Sequence, residues 1–200
     1  MRNSLYSKMF LWMFLGLLIT FVTGYYVSTN VNMLYNIFST NLYWFIFLAE
    51  IITVIVLSAR LMKMSKGGAI FAFLFYSLIS GLTFAAVFVL FEMPSIMYMF
   101  LVTAVVFAIF AFIGSVTKMD LSKLSTILFM GLLAILLCGV INLFILSDTF
   151  DFIINVIAIV IFLAYIAYDI QKIKRLDGIV PEDNLAIIGA LELYLDFINL

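Results

Sequence analysis

Five charged side chains stand inside stretches that are otherwise apolar: Glu50, Arg60, Asp169, Glu192 and Asp196. A charge at the centre of a bilayer costs about 2.5–3.5 kcal/mol even on the lenient insertion scale. Such residues therefore face a bundle interior or water, and they usually serve function. Glu192 and Asp196 are four apart and share one face of a helix. Two carboxylates brought together in a low-dielectric site repel when both are ionised. One pKa then rises, and the pair titrates as a unit. With one proton shared, the pair is a strong hydrogen bond between two helices. Without it, the two charges must separate, recruit a base or bind a cation. Calcium, which takes carboxylate and carbonyl oxygens, suits such a site.

Each of these residues also has a plainer reading. Arg60 closes an apolar stretch and can be a snorkelling anchor as well as a functional base. Asp169 can pair with Lys172 one turn later. Glu50 is harder to dismiss, because it precedes Arg60 by ten residues and so lies about 15 Å deeper, close to the midplane. Asp196 lies about 16 Å past the start of its stretch. Glu192 is either a second acid of the site or an inward group with a local hydrogen bond. Asn142 is an uncharged polar residue that can act as helix–helix glue. Glu92, Asp148 and Asp151 read as solvated ends of connections.

The elements that position these groups follow from composition. Of 200 residues, 67% are hydrophobic and 10% are charged. Soluble domains carry about 25% charged residues, so lipid is the solvent that suits this chain. Seven apolar segments emerge: Met9–Val27, Tyr43–Leu61, Ala69–Leu90, Ser95–Val116, Leu124–Leu146, Phe152–Gln171 and Leu185–Leu200. They are continuous rather than alternating, and a backbone in hydrocarbon must satisfy itself internally, so helices are expected. Breaks fall at Ser28–Asn41, Gly67–Gly68, Pro94, Asp120, Asp148 and Gly178–Pro181. The whole chain, 1–200, reads as one all-α polytopic membrane domain. Small residues four apart, Ser77/Gly81/Ala85 and Ala104/Ala108, suit close helix packing.

Orientation comes from the basic residues. All ten fall in the N-terminal tail and the even-numbered connections: Arg2 and Lys8; Arg60, Lys63 and Lys66; Lys118 and Lys123; Lys172, Lys174 and Arg175. The odd-numbered connections hold none. This places the N-terminus in the cytoplasm and, with seven spans, the C-terminus outside. The last segment has 16 residues, about 24 Å of helix against a hydrocarbon core of about 30 Å. A natural chain continuing past Leu200 is the expectation.

The net charge of −1 gives no case for a nucleic-acid surface. Histidine is absent and Cys138 is the only cysteine, so no disulfide or thiolate cluster is expected. No phosphate loop, nucleophile–histidine arrangement or HExxH pattern occurs, and no enzyme or resident cofactor is expected. Intramembrane aspartyl proteolysis is disfavoured, since no Gly-x-Gly-Asp follows the Tyr168-Asp169 pair.

The C-terminal run Leu193-Tyr194-Leu195-Asp196-Phe197-Ile198-Asn199-Leu200 resembles the signature of the Bax inhibitor-one family, also called transmembrane Bax inhibitor motif proteins. Ala167-Tyr168-Asp169-Ile170-Gln171 is similar to that family's companion motif, and Glu50 and Arg60 stand where it has an acid and a base. The resemblance covers the chain in length and span order. It implies six helices packed around a central seventh, and a calcium leak modulated by pH. It implies that Asp169 and Asp196 are the paired sensor acids and carry any bound calcium. Arg60 becomes a latch for Asp169, and Glu50 lies on the ion path. Glu192 and Asn142 join that path on the residue reading alone. Relatives usually extend the seventh helix beyond the motif; here it stops at Leu200.

The expected function is a cation leak, with calcium ions and protons as partners and the bilayer as medium. A proton-coupled calcium exchanger and a non-conducting regulator of a membrane protease or stress pathway remain alternatives. No protein partner is legible. Residue usage rich in Ile, Phe, Asn and Lys suits a bacterial source and the plasma membrane.

Overall fold

The computed structural model describes residues 3–60 and 63–200. Arg2 and Leu61 therefore lie outside the described residues. The described residues are predominantly α-helical. The helices are α1 (Asn3–Thr29), α2 (Val31–Phe38), α3 (Leu42–Arg60), α4 (Lys66–Leu90), α5 (Met93–Val116), α6 (Ser125–Ile145), α7 (Asp148–Leu176) and α8 (Glu182–Asn199), with a 3-10 turn at Leu121–Leu124 before α6. Every apolar segment of the sequence lies within or largely on one of the long helices.

One break differs from expectation. The polar stretch Ser28–Asn41 contains α2. Asn30 caps that helix, its side chain accepting from the Met33 N–H. Ile37 then packs with Val27 and Ala85. Four Asn and two Thr residues within this stretch mask an amphipathic turn pattern that tertiary packing makes stable. α2 and the helix after it meet at 77°.

Five described helices are long and apolar enough to cross a membrane, or six when α2 and α3 count as one bent pair. The chain is an all-α polytopic membrane protein. α8 fails that test because it carries Glu182, Asp183, Glu192 and Asp196 in 18 residues. It is nevertheless the most enclosed helix: Leu185, Ile187, Ala190, Leu193 and Tyr194 are wholly buried. In contrast α6 buries only Leu128 and shows Phe129, Leu136, Leu137 and Phe144 at its surface, as lipid requires.

The chain divides into two compact units: Met1–Phe100 with Asp177–Tyr194, and Leu101–Leu176 with Leu195–Leu200. In the first, α1 packs along α4, and α3 packs on α4. Gly81 makes the first contact close, since a Cβ there would meet Thr23 Cβ at 2.6 Å and the Thr20 carbonyl at 2.9 Å. The stripe Ser77/Gly81/Ala85 is fully buried, as small residues at a helix interface should be. An ionic knot joins the ends of three helices: Lys8 lies 2.9 Å from Glu182 and 2.8 Å from Asp183, and Lys66 lies 2.7 Å from Asp183.

In the second unit α6 packs on α7, and α5 approaches α7 at Gly114. A Cβ on Gly114 would sit 2.4 Å from the Ala167 carbonyl oxygen. The buried face of α5 is Phe107, Ala111 and Gly114. Ala108 is exposed, so the Ala104/Ala108 pairing read from sequence is not the packing face. Gly114 outranks it because only a missing Cβ admits the neighbouring backbone.

Candidate functional site

Among the described residues, the buried charged ones are Asp169, 6% exposed, and Asp196, 4% exposed. Both belong to the second unit. α7 buries Ile166, Ala167, Asp169, Ile170 and Ile173 on one face, which carries the carboxyl inward. Both carboxylates act electrostatically on the Tyr165 hydroxyl, which stands one turn before Asp169. Phe197, next to Asp196, packs edge-on against Phe107 at 5.6 Å between ring centroids. The two acids are thus brought to one neighbourhood of α5, α7 and the end of α8.

The end of α7 beyond Asp169 clamps the connection that leads from α5 to α6. Gln171 accepts from the Leu121 N–H at 2.8 Å and donates to the Met119 carbonyl at 2.8 Å. Lys174 donates to the Ser115 carbonyl at 3.1 Å, and Arg175 to Asp120 at 2.8 Å. Asp120 is held below its usual pKa, chiefly by hydrogen bonds from the Ser122 hydroxyl and N–H, with Arg175 adding to the effect.

The other sequence candidates take separate places. Glu50 lies in the first unit, half-buried on α3, and accepts from the Ser80 hydroxyl at 2.6 Å. Arg60 is the exposed last residue of α3. Glu192 is half-buried on α8. Asn142 works locally at the end of α6: its carbonyl accepts from the Leu146 N–H and its side chain from the Ser147 N–H. Leu146 there takes the left-handed conformation, with φ 54°. No group of three or more His, Cys, Asp and Glu side chains is arranged for a metal ion among the described residues. Two carboxylates give a cation carboxylate oxygens, and carbonyls or water must complete its shell.

Sequence reasoning missed a second polar centre. Thr20, Ser77 and Ser80 are buried in the first unit at 2%, 0% and 0% exposure. Thr20 and Tyr194 hydroxyls lie 2.6 Å apart, and Thr20 reaches the Ser77 carbonyl at 2.9 Å. Hydroxyl residues inside apolar runs were the available signal, but Ser77 read as a packing residue and Tyr194 as part of a motif.

With this geometry in place, comparison with known proteins is decisive. The family described as "Inhibitor of apoptosis-promoting Bax1" matches residues 2–200. The chain belongs to the Bax inhibitor-1 family. It is 35% identical over 201 residues to the inner membrane protein YbhL of Escherichia coli K12, covering 97% of this chain and 86% of that protein. A protein of Borreliella burgdorferi is 34% identical over 205 residues, covering 100% of this chain and 88% of its own length. A membrane protein of Streptococcus pyogenes serotype M1 is 39% identical over 155 residues, 76% of this chain and 67% of that one. Membership agrees with the resemblance carried by the Leu193–Leu200 run and the Ala167–Gln171 companion motif.

Proposed function

We propose that this member of the Bax inhibitor-1 family is a pH-modulated cation leak of the bacterial plasma membrane, with calcium as the ion it passes. The observation that carries the reading is the burial of Asp169 and Asp196, both acting on the Tyr165 hydroxyl. Two ionised carboxylates in one buried neighbourhood are costly, so the pair holds a shared proton over part of the pH range. That proton ties α7 to α8 and keeps the path closed. Its loss leaves two charges, which separate, recruit Arg60 as a latch or accept calcium. Glu50, Glu192 and Asn142 belong to the ion path in this reading, α8 is its central helix, and the end with the basic residues faces the cytoplasm.

Gln171 supports the coupling. It follows Asp169 by two residues and holds the connection between α5 and α6 at both of its amide atoms. Movement of the α7 end on ionisation therefore pulls on that connection.

The test is calcium uptake by vesicles containing the purified protein, across a pH series around neutrality. The wild-type flux should change with pH, and Asp196→Asn should flatten the curve. An unchanged pH profile in Asp196→Asn would count decisively against the paired-acid gate. An opposing proton gradient separates leak from exchange, because only an exchanger drives calcium uphill.

A further inference from the structure

No residue between Lys8 and Glu50 carries a charge, and α2 lies within that stretch. The closing turns of α1 hold Tyr25 and Tyr26, and the first turn of α3 holds Tyr43 and Trp44. Tyr and Trp collect where a bilayer meets water, because a ring with a polar tip suits that boundary. Tyr25, Tyr26 and Trp44 are exposed. So are Leu18 and Val22 of α1 and Phe45, Leu48 and Ile52 of α3, further along the same helices. The exposed rings thus continue the lipid-facing surface of α1 and α3 up to α2.

The surface of α2 divides in three at about 100° per residue. Leu34 and Ile37 form the first face and pack with Val27 and Ala85. Val31, Tyr35 and Phe38, spaced four and three apart, form a second face that is apolar and exposed. Asn32 and Asn36 form the third, also exposed. Met33 falls between the first face and the third. A helix in water has no use for the second face, and a helix within hydrocarbon has none for the third. A helix at the boundary of the two suits both.

Length and backbone agree with that position. α3 has 19 residues, about 28 Å of helix, and so nearly covers a hydrocarbon core of about 30 Å without α2. The 77° bend turns α2 across the direction of α3 instead of lengthening it. Side chains also satisfy the backbone groups around both turns. Ser28 donates to the Tyr25 carbonyl at 2.8 Å, and Thr29 to the Tyr26 carbonyl at 3.0 Å. Asn30 accepts from the Met33 N–H at 3.1 Å. Thr40 donates to the Asn36 carbonyl and accepts from the Leu42 N–H. A loop in bulk water could leave these groups to solvent, whereas a chain entering lipid must pair them itself.

We propose that α2 is a membrane-surface anchor. It lies flat in the headgroup region at the uncharged end of α1, with Val31, Tyr35 and Phe38 docked on phospholipid and Asn32 and Asn36 in water. Trp44 and Tyr26 extend the same contact to either side. The surface has no charged group, so a zwitterionic lipid serves it as well as an anionic one. This contact is independent of the Asp169–Asp196 pair.

The experiment is depth-dependent fluorescence quenching of the full chain in two kinds of vesicle, phosphatidylcholine alone and phosphatidylcholine with an equal part of phosphatidylglycerol. The chain has two tryptophans, so Trp12→Phe with Trp44→Phe gives a silent background. Val31→Trp and Tyr35→Trp then place a reporter on the apolar face, and Asn32→Trp and Asn36→Trp on the polar one. Two positions per face keep the outcome readable where one variant fails to fold. The apolar-face reporters should emit at shorter wavelength and resist aqueous iodide. They should be quenched several-fold more by lipid brominated near the headgroup than by lipid brominated at the chain end. The Asn-face reporters should be quenched by iodide, and both vesicles should give one pattern. Equal iodide quenching on the two faces would make α2 a loop in water and overturn the proposal. Stronger quenching of the apolar face from the chain end would overturn it in favour of a re-entrant or spanning segment. Protection of that face from every quencher would overturn it in favour of a protein cover, a second copy included. A pattern present only with phosphatidylglycerol would refute the charge-free contact.

Discussion

Thr20 Oγ1 and Tyr194 Oη lie 2.6 Å apart, although 174 residues separate them in the chain. Thr20 also sits against Gly81, whose missing Cβ lets α1 and α4 approach. Removing either hydroxyl leaves the other without that partner in an apolar interior. Thr20→Val and Tyr194→Phe should each destabilise by about 1 kcal/mol. The coupling from a double-mutant cycle should be about 0.6–1.7 kcal/mol, as for interhelical bonds in membranes. Reversible unfolding in mixed micelles measures it. Strict additivity would mean the pair contributes nothing as a pair.

Gly114 should tolerate no side chain. A Cβ there falls 2.4 Å from the Ala167 carbonyl oxygen and 2.7 Å from its Cα, both rigid backbone. Gly114→Leu should cost about 1–3 kcal/mol by forcing α5 off α7. Gly139→Ala is the contrast, because its Cβ meets nothing within 4 Å and helix propensity favours alanine. Equal melting temperatures for the two variants would contradict this packing.

Asp183 gives a pH prediction outside the membrane. Lys66 first, then Lys8, holds its carboxyl down to about 2 from 3.8. Its pKa is lower folded than unfolded, so its stabilisation is full above about pH 4 and is lost as the pH falls toward about 2. The melting-temperature gap between wild type and Asp183→Asn should therefore close over that acid window. Added salt should narrow the gap at neutral pH, because the knot is solvent-exposed. A gap constant down to pH 2 would assign the effect of the substitution to something other than charge.

Gln171 should govern the mobility of the connection between α5 and α6. Gln171→Leu removes the acceptor of the Leu121 N–H and the donor to the Met119 carbonyl. Arg175 and Lys174 still hold the neighbouring residues. Amide hydrogen exchange at Leu121 should rise several-fold while α6 keeps its protection. If the exchange rates at Leu121 are the same in both proteins, the clamp is not what orders this turn.

The sequence determined the solvent and the secondary structure. A chain with 67% hydrophobic residues and 10% charged ones belongs in lipid, and lipid admits continuous apolar runs only as helices. It also singled out Glu50 and Asp196, because a carboxylate in such a run is expensive wherever it points, and the family resemblance added Asp169. Membership of the family was legible in the residues around Asp169 and Asp196. Tertiary structure decided everything that depends on which helices are neighbours. Periodicity within one helix cannot say that Thr20 meets Tyr194, that Gln171 holds Leu121 or that Ser80 bonds Glu50. It chose Gly114 over Ala108 for the α5 interface, since the approach of another backbone is not written in local spacing. It also turned Ser28–Asn41 into a capped helix, because packing of Ile37 on Val27 and Ala85 outweighs the weak propensity of that polar stretch.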